Sequence, residues 1–260
     1  MCDKPLVICK SHYTFLEGIH SIPELVEFAV EYDVKALCLA DRDGFYGVVE
    51  FYLCCREAGI QPLVGVELTQ EKKRVIVIVR NREGYEELSE IITRRQLKEF
   101  HLEDDLPLNS PNLLTLCDDA FLLQRWLRNG SSQRRESHDS LMLGLPLSDR
   151  NAFRRVLNLM ARRSDLPRIP AVPFVRLNLF GAQDVPLYKV LRAINLGCTV
   201  ETLPQEEAYV WERGESATAV LHCSETISYE PVLEAADVAK LCDLRIDLGR
   251  CHLPKFVPAV

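Results

Sequence analysis

The sequence predicts an α/β fold closed into a β/α barrel of about seven strands. Three observations lead there. Short apolar, partly β-branched runs alternate with amphipathic stretches along nearly the whole chain. Repeated strand-then-helix units imply parallel strands joined by right-handed crossovers. No linker, repeat or low-complexity segment divides the 260 residues. One unbroken series of that length favours a closed barrel around a single core over an open sheet.

The elements follow in order. Leu6 to Cys9 reads as a short buried strand. Ser21-Ile22-Pro23-Glu24 is a capping box with proline in the first turn, so a helix starts there and runs to about Tyr32. Val34 to Ala40 is the next strand. Gly47 to Ala58 is helical, with Gly59 just past its end. Pro62 to Glu67 and Val75 to Val79 are the third and fourth strands, the latter the most β-branched run in the chain. Tyr85 to Thr93 is helical. Leu113 to Leu116 is a strand, followed by a helix from Asp118-Asp119 through Leu127 and a polar loop to about Asp139. Leu141 to Leu143 is a strand, Ser148 to Arg162 a helix, and Ile169 to Val175 a strand interrupted by prolines. Val185 to Leu196 and Glu230 to Cys242 are helical, and the tail from Asp247 to Val260 is extended.

Composition narrows the function classes. Hydrophobic residues make up 47%, and no apolar run approaches the ~18 residues of a membrane helix. The start, Met1-Cys2-Asp3-Lys4-Pro5, has no signal-peptide pattern, so a cytoplasmic protein is expected. A net charge of −7 argues against a surface built as a DNA clamp, because phosphate binding calls for clustered cations. The paired Lys72-Lys73, Arg94-Arg95, Arg134-Arg135 and Arg162-Arg163 read as solvated faces. The 10 cysteines include no CxxC pair. Cys9, Cys38 and Cys117 lie in apolar runs and read as reduced thiols used as small hydrophobes.

In a barrel of this kind, chemistry gathers at the C-terminal ends of the strands. Lys10, Ser11, His12 and Glu17 follow the first strand. Asp41, Arg42 and Asp43 follow the second. Glu67 ends the third, and Arg176 ends the late strand around Ala171. Charged residues from separate strands thus arrive at one mouth.

These same segments carry a family resemblance. Ser11-His12-Tyr13-Thr14-Phe15-Leu16-Glu17-Gly18 resembles the first motif, His-x-His-Ser-x-Tyr-Ser-Leu-Leu-Asp-Gly, of PHP (polymerase and histidinol phosphatase) domains. Ala36 to Gly47 resembles the second, which normally reads Thr-Asp-His. Ala58 to Glu67 continues it, and Arg80 to Leu88 is similar to Asn-x-x-Gly-Tyr-x-x-Leu. Ala171 to Leu177 is similar to Ala-Thr-Asn-Asp-Val-His-Tyr, and Leu248 to Phe256 to the segment that leaves the domain towards a polymerase palm. The segments 36–67 and 248–256 resemble the bacterial C-family branch, the DNA polymerase III alpha subunits, and Ala40 to Gly44 resembles its error-prone members. The resemblance implies a PHP-type distorted β/α barrel, TIM-like, over residues 1–250, with residues 251–260 as an extended tail.

Active members bind divalent metals that activate water for phosphoester hydrolysis. Here Ile8 and Lys10 stand at the two histidines of the first motif, Arg42 at the histidine of the second, and Phe174 and Arg176 at the late Asp-x-His pair. Only Glu17, Asp41 and Glu67 keep acidic positions. A guanidinium is always protonated and offers no lone pair to a metal. The expectation is a degenerate site without cofactor or catalysis, in which Lys10, Arg42 and Arg176 pair with Glu17, Asp41 and Glu67. One alternative is a residual phosphoesterase or 3′–5′ exonuclease holding zinc or manganese on His12, Glu17, Asp41 and Glu67. Another is a phosphate-ligand regulator using Lys10, Arg42 and Arg176. The implied partners are a polymerase core, in the same or a companion chain, and a proofreading exonuclease subunit. Little direct DNA binding is expected, and no membrane contact.

Overall fold

A computed structural model of the protein describes residues 5–71, 73–129, 140–162, 168–204 and 229–249. Seven strands close into a barrel in sequence order: β1 (Leu6–Cys9), β2 (Ala36–Arg42), β3 (Gln61–Gln70), β4 (Lys73–Val79), β5 (Leu113–Cys117), β6 (Leu141–Pro146) and β7 (Ala171–Leu177), with β7 pairing back onto β1. The helices are α1 (Ile22–Glu31), α2 (Val48–Glu57), α3 (Arg82–Gln96), α4 (Leu102–Asp105), α5 (Ala120–Asn129), α6 (Arg150–Arg162), α7 (Val185–Leu196) and α8 (Ala235–Lys240). The expected tail 251–260 and most of the polar loop to Asp139 lie outside the described residues.

The expected all-parallel pairing fails at one strand. β4 runs antiparallel to both β3 and β5, while the other neighbours pair parallel. The reason is chain length. β3 ends at Gln70 and β4 begins at Lys73, with Glu71 at φ 56° in the turn. A parallel return takes about a dozen residues or more of crossover, so only a hairpin can make this connection.

Strand side chains alternate between two faces. One alternation points into the barrel: Leu6 and Ile8, then Ala36, Cys38 and Ala40, Leu63, Ile76 and Ile78, Leu114 and Leu116, Met142, and Val172 and Phe174 form one buried cluster. The other points outward. Val7, Cys9, Leu37 and Leu39 pack with α1 and α2. Val64, Val66, Val75, Val77 and Leu113 pack with α3 and α5. The Ser21 capping box is present, and α1 buries Ile22, Leu25, Val26, Phe28 and Ala29 beneath it.

α8 covers the end of the barrel opposite the strand C-termini. Val238, Ala239 and Cys242 join the interior cluster. Gln61 Nε2, at the start of β3, donates to the carbonyls of Ala239 (2.8 Å) and Cys242 (3.1 Å). The helix expected over 230–242 is shorter than its apolar stripe suggested. Pro231 favours extended backbone before it, and the chain there pairs with β7: Ala171 N donates to Pro231 O at 2.9 Å and Leu233 N to Ala171 O at 2.8 Å. The described cysteines are free thiols, and Cys9, Cys38 and Cys117 are buried in apolar surroundings as expected.

Candidate functional site

The inward alternation carries past the apolar layers and ends in charge at the C-terminal mouth. β2 pairs with β3 so that Arg42 stands opposite Glu67, and β1 pairs with β7 so that Ile8 stands opposite Arg176. Lys10 and Asp118 continue the inward columns of β1 and β5 by one step. Ile8 and Phe174 are core residues just below this layer, 3% and 0% exposed. The Arg176 guanidinium lies 4.8 Å from the Phe174 ring centroid, a cation over an aromatic face.

The charged side chains form one ion-pair network. Lys10 Nζ donates to Glu17 Oε2 at 3.0 Å and to Glu67 Oε2. Glu17 Oε1 also meets Arg42 Nη2 and, at 3.0 Å, Arg192 Nη1 from α7. Arg176 Nη1 donates to Asp118 Oδ2 at 2.8 Å, and its Nε lies 3.7 Å from Glu67 Oε1. Only 3% of the Glu67 side chain and 6% of Asp118 reach solvent. Burial alone would raise the Glu67 carboxyl. The Lys10 and Arg176 charges outweigh it and lower the pKa to about 2. Asp118 behaves alike, with burial opposed and exceeded by Arg176 and then Arg74. Arg74 is an exposed cation on the β4 side of the mouth.

Asp41 is the correction among the expected ion pairs. It points outward with Leu37 and Leu39, so it cannot face Lys10 or Arg176 across the mouth. Neutral donors hold it instead. Ser11 N (2.8 Å), Ser11 Oγ (3.0 and 2.9 Å), Thr14 Oγ1 (2.8 Å) and Gly47 N (3.3 Å) all donate to its carboxylate. Burial raises its pKa despite these bonds. Asp41 therefore ties the loop after β1 to β2. That loop is tight: Leu16 has φ 61°, and a Cβ on Gly18 would fall 1.8 Å from Ser11 O. The turn delivers Glu17 over the barrel axis side of the loop, onto Lys10 and Arg192.

His12 is exposed, and its ring sits against Tyr13 at 4.3 Å. It does not assemble with Glu17, Asp41 and Glu67. Among the described residues, no group of three or more His, Cys, Asp or Glu side chains is placed to hold a metal ion. Asp41 faces away, both Glu17 oxygens meet cations, and Glu67 Oε2 meets Lys10 while its buried Oε1 has no hydrogen-bond partner among the described residues and lies 3.7 Å from Arg176 Nε. Zinc, manganese or any other divalent ion would meet an ammonium and guanidinium groups, which have no lone pair to give.

Two members of the network escaped the sequence reading. Asp118 stands where the sequence predicts a helix start, yet it extends the inward column Leu114, Leu116 of β5. Arg192 comes from a helix 175 positions from Glu17, and no local pattern links them.

A family model described as the PHP domain matches residues 8–125. An error-prone DNA polymerase of Corynebacterium diphtheriae is 39% identical over 271 residues, covering 95% of this chain and 24% of that protein. Over residues 8–125 this chain carries a PHP domain. DNA polymerase III subunit alpha of Halalkalibacterium halodurans is 28% identical over 268 residues, covering 95% of this chain and 23% of that one. The chain thus spans about a quarter of the length of these curated relatives. Among solved structures, an amidohydrolase from Chromobacterium violaceum aligns with a TM-score of 0.41 and 12% identity over 66% of this chain and 87% of its own. Among the described residues of the PHP chain, no helix is long and apolar enough to cross a membrane.

Proposed function

We propose that this chain is the PHP module of a bacterial C-family DNA polymerase alpha subunit, and that ion pairs occupy the barrel mouth where the resemblance implies metals. In this reading Ile8, Lys10, Glu17, Asp41, Arg42, Glu67, Phe174 and Arg176 are former metal-site positions. The module is non-catalytic. It supports the polymerase body and docks partner subunits, the proofreading exonuclease among them.

One observation carries the reading: Lys10 lies between Glu17 and Glu67, at the centre of the mouth. An ammonium there binds one oxygen of each carboxylate and repels a divalent cation. Buried carboxylates left without such partners would be costly, so the cations preserve the barrel while ending its hydrolytic chemistry. The relatives are much longer chains named as polymerases, which fits a module that works within a larger assembly.

The test is an assay of the full chain with a labelled single-stranded oligonucleotide and with p-nitrophenyl phosphate, in manganese and in zinc. No turnover above the metal-only blank is expected. Turnover that disappears in Glu67→Gln would overturn the proposal. The docking half is tested by co-elution with the polymerase body and with the proofreading subunit.

A phosphate-ligand reading has one observation in its favour. Arg42 Nε and Arg176 Nη2 are buried without a hydrogen-bond partner among the described residues. Thermal stabilisation by phosphate, absent in Arg176→Met, would favour that reading.

A further inference from the structure

We propose that the groove between α1 and α2, on the outside of the barrel, docks a cationic amphipathic helix of a partner protein. This rests on the docking role proposed above and names the surface and the chemistry of its occupant.

The groove is shallow and open to solvent, with a volume of about 540 Å³. Pro23, Val26, Val30, Cys54 and Ala58 supply its apolar lining. Of these Val30 is 56% exposed, and on α2 Val49 and Leu53, one turn apart, are 47% and 46% exposed. Exposed aliphatic side chains on two adjacent helices, around an apolar groove, are a surface with a reason to be covered. Two parallel-sided helices also offer the groove into which the side-chain ridge of a third helix packs.

Charge decides the occupant. Glu27, Glu31 and Glu57 line the same groove, and no lysine or arginine does among the described residues. Glu27 and Glu31 stand one turn apart along α1. Phosphates of a nucleic acid or an anionic membrane would be repelled. A second copy of this chain would meet the same face by two-fold symmetry and set these carboxylates against their own images. A helix with aliphatic residues on one face and Lys or Arg flanking it satisfies both features at once.

The probe is a synthetic Leu/Lys amphipathic helical peptide, with a Leu/Glu peptide as control, titrated into the full 260-residue chain. Amide NMR shifts are expected on α1 and the second half of α2. Affinity should fall at least about tenfold in E27K/E31K and in Val30→Asn. It should be unchanged in E90K, an exposed charge reversal on α3. A footprint elsewhere, equal binding of the Leu/Glu peptide, or no difference between E27K/E31K and E90K overturns the proposal. The wider docking role fails separately. If the polymerase body or exonuclease subunit co-elutes equally with wild type and E27K/E31K, the groove assignment fails and docking stands. If the peptide maps to the groove but neither subunit co-elutes, the replication partners are wrong and the groove stands.

Discussion

Replacing Arg176 with methionine isolates the energetics of the barrel mouth. Methionine keeps an unbranched side chain beside Phe174 but removes the charge and the guanidinium over its ring. Asp118, 6% exposed, then loses its 2.8 Å partner, and Glu67 loses the cation 3.7 Å away while keeping Lys10. Stranding one partner of a buried pair typically costs about 3–5 kcal/mol. Arg176→Met should therefore lower unfolding stability by roughly that amount at neutral pH, read from urea unfolding by far-UV circular dichroism. The deficit should shrink as pH falls. Without Arg176, burial raises the Asp118 carboxyl, so it becomes neutral at a higher pH than in wild type. A second variant fixes the cause. In Arg176→Met/Asp118→Leu both charges are gone, and most of the lost stability should return, because an apolar pair can replace a buried ion pair at little cost. A single-variant loss under about 1 kcal/mol, the scale of surface pairs, would refute the premise that the mouth is a buried network. Additive losses in the double variant would refute the pairing itself.

Other consequences follow from individual contacts. The Glu67 pKa is lowered in the folded state, so its contribution is present above the unfolded value of 4.5 and is lost as pH falls through about 2. Linkage makes that contribution about 3 kcal/mol, and Glu67→Gln should remove this limb of the acid unfolding curve. Gly18→Ala places a methyl group against backbone, 1.8 Å from Ser11 O. The loop must then shift, with a loss of roughly 2–4 kcal/mol and a displaced Glu17, seen in the unfolding midpoint and in the amide spectrum of residues 11–18. Asp41→Asn trades an acceptor for an amide that faces N–H and O–H donors. It should cost about 1–3 kcal/mol, while leaving the Lys10 and Arg176 contacts with Glu67 intact.

Much of this arrangement was legible before the structure. The apolar runs located all seven strands, and their C-terminal ends located Lys10, Arg42, Glu67 and Arg176. What the sequence reading missed was direction. Position after a strand says which end of the barrel a residue occupies, and only the two-residue alternation says which face. Continuing Ala36, Cys38, Ala40 by one step points Arg42 inward and Asp41 outward. The same count along Leu114 and Leu116 would have found Asp118. The antiparallel β4 was also within reach, since the seven residues between Glu67 and Val75 cannot hold a crossover helix. Arg192 was not, because tertiary packing of α7 alone carries it to Glu17. The shortening of α8 came from Pro231, which favours pairing with β7 over one more helical turn.

The central claim is that cations hold the mouth of this PHP domain in place of metals. It is tested most directly by elemental analysis of the full chain, purified without chelator and then equilibrated with zinc, manganese and iron in turn. The expected result is no stoichiometric metal in the wild-type protein under any of the three. One or more equivalents retained after exchange into metal-free buffer, and lost in Glu67→Gln, would contradict it.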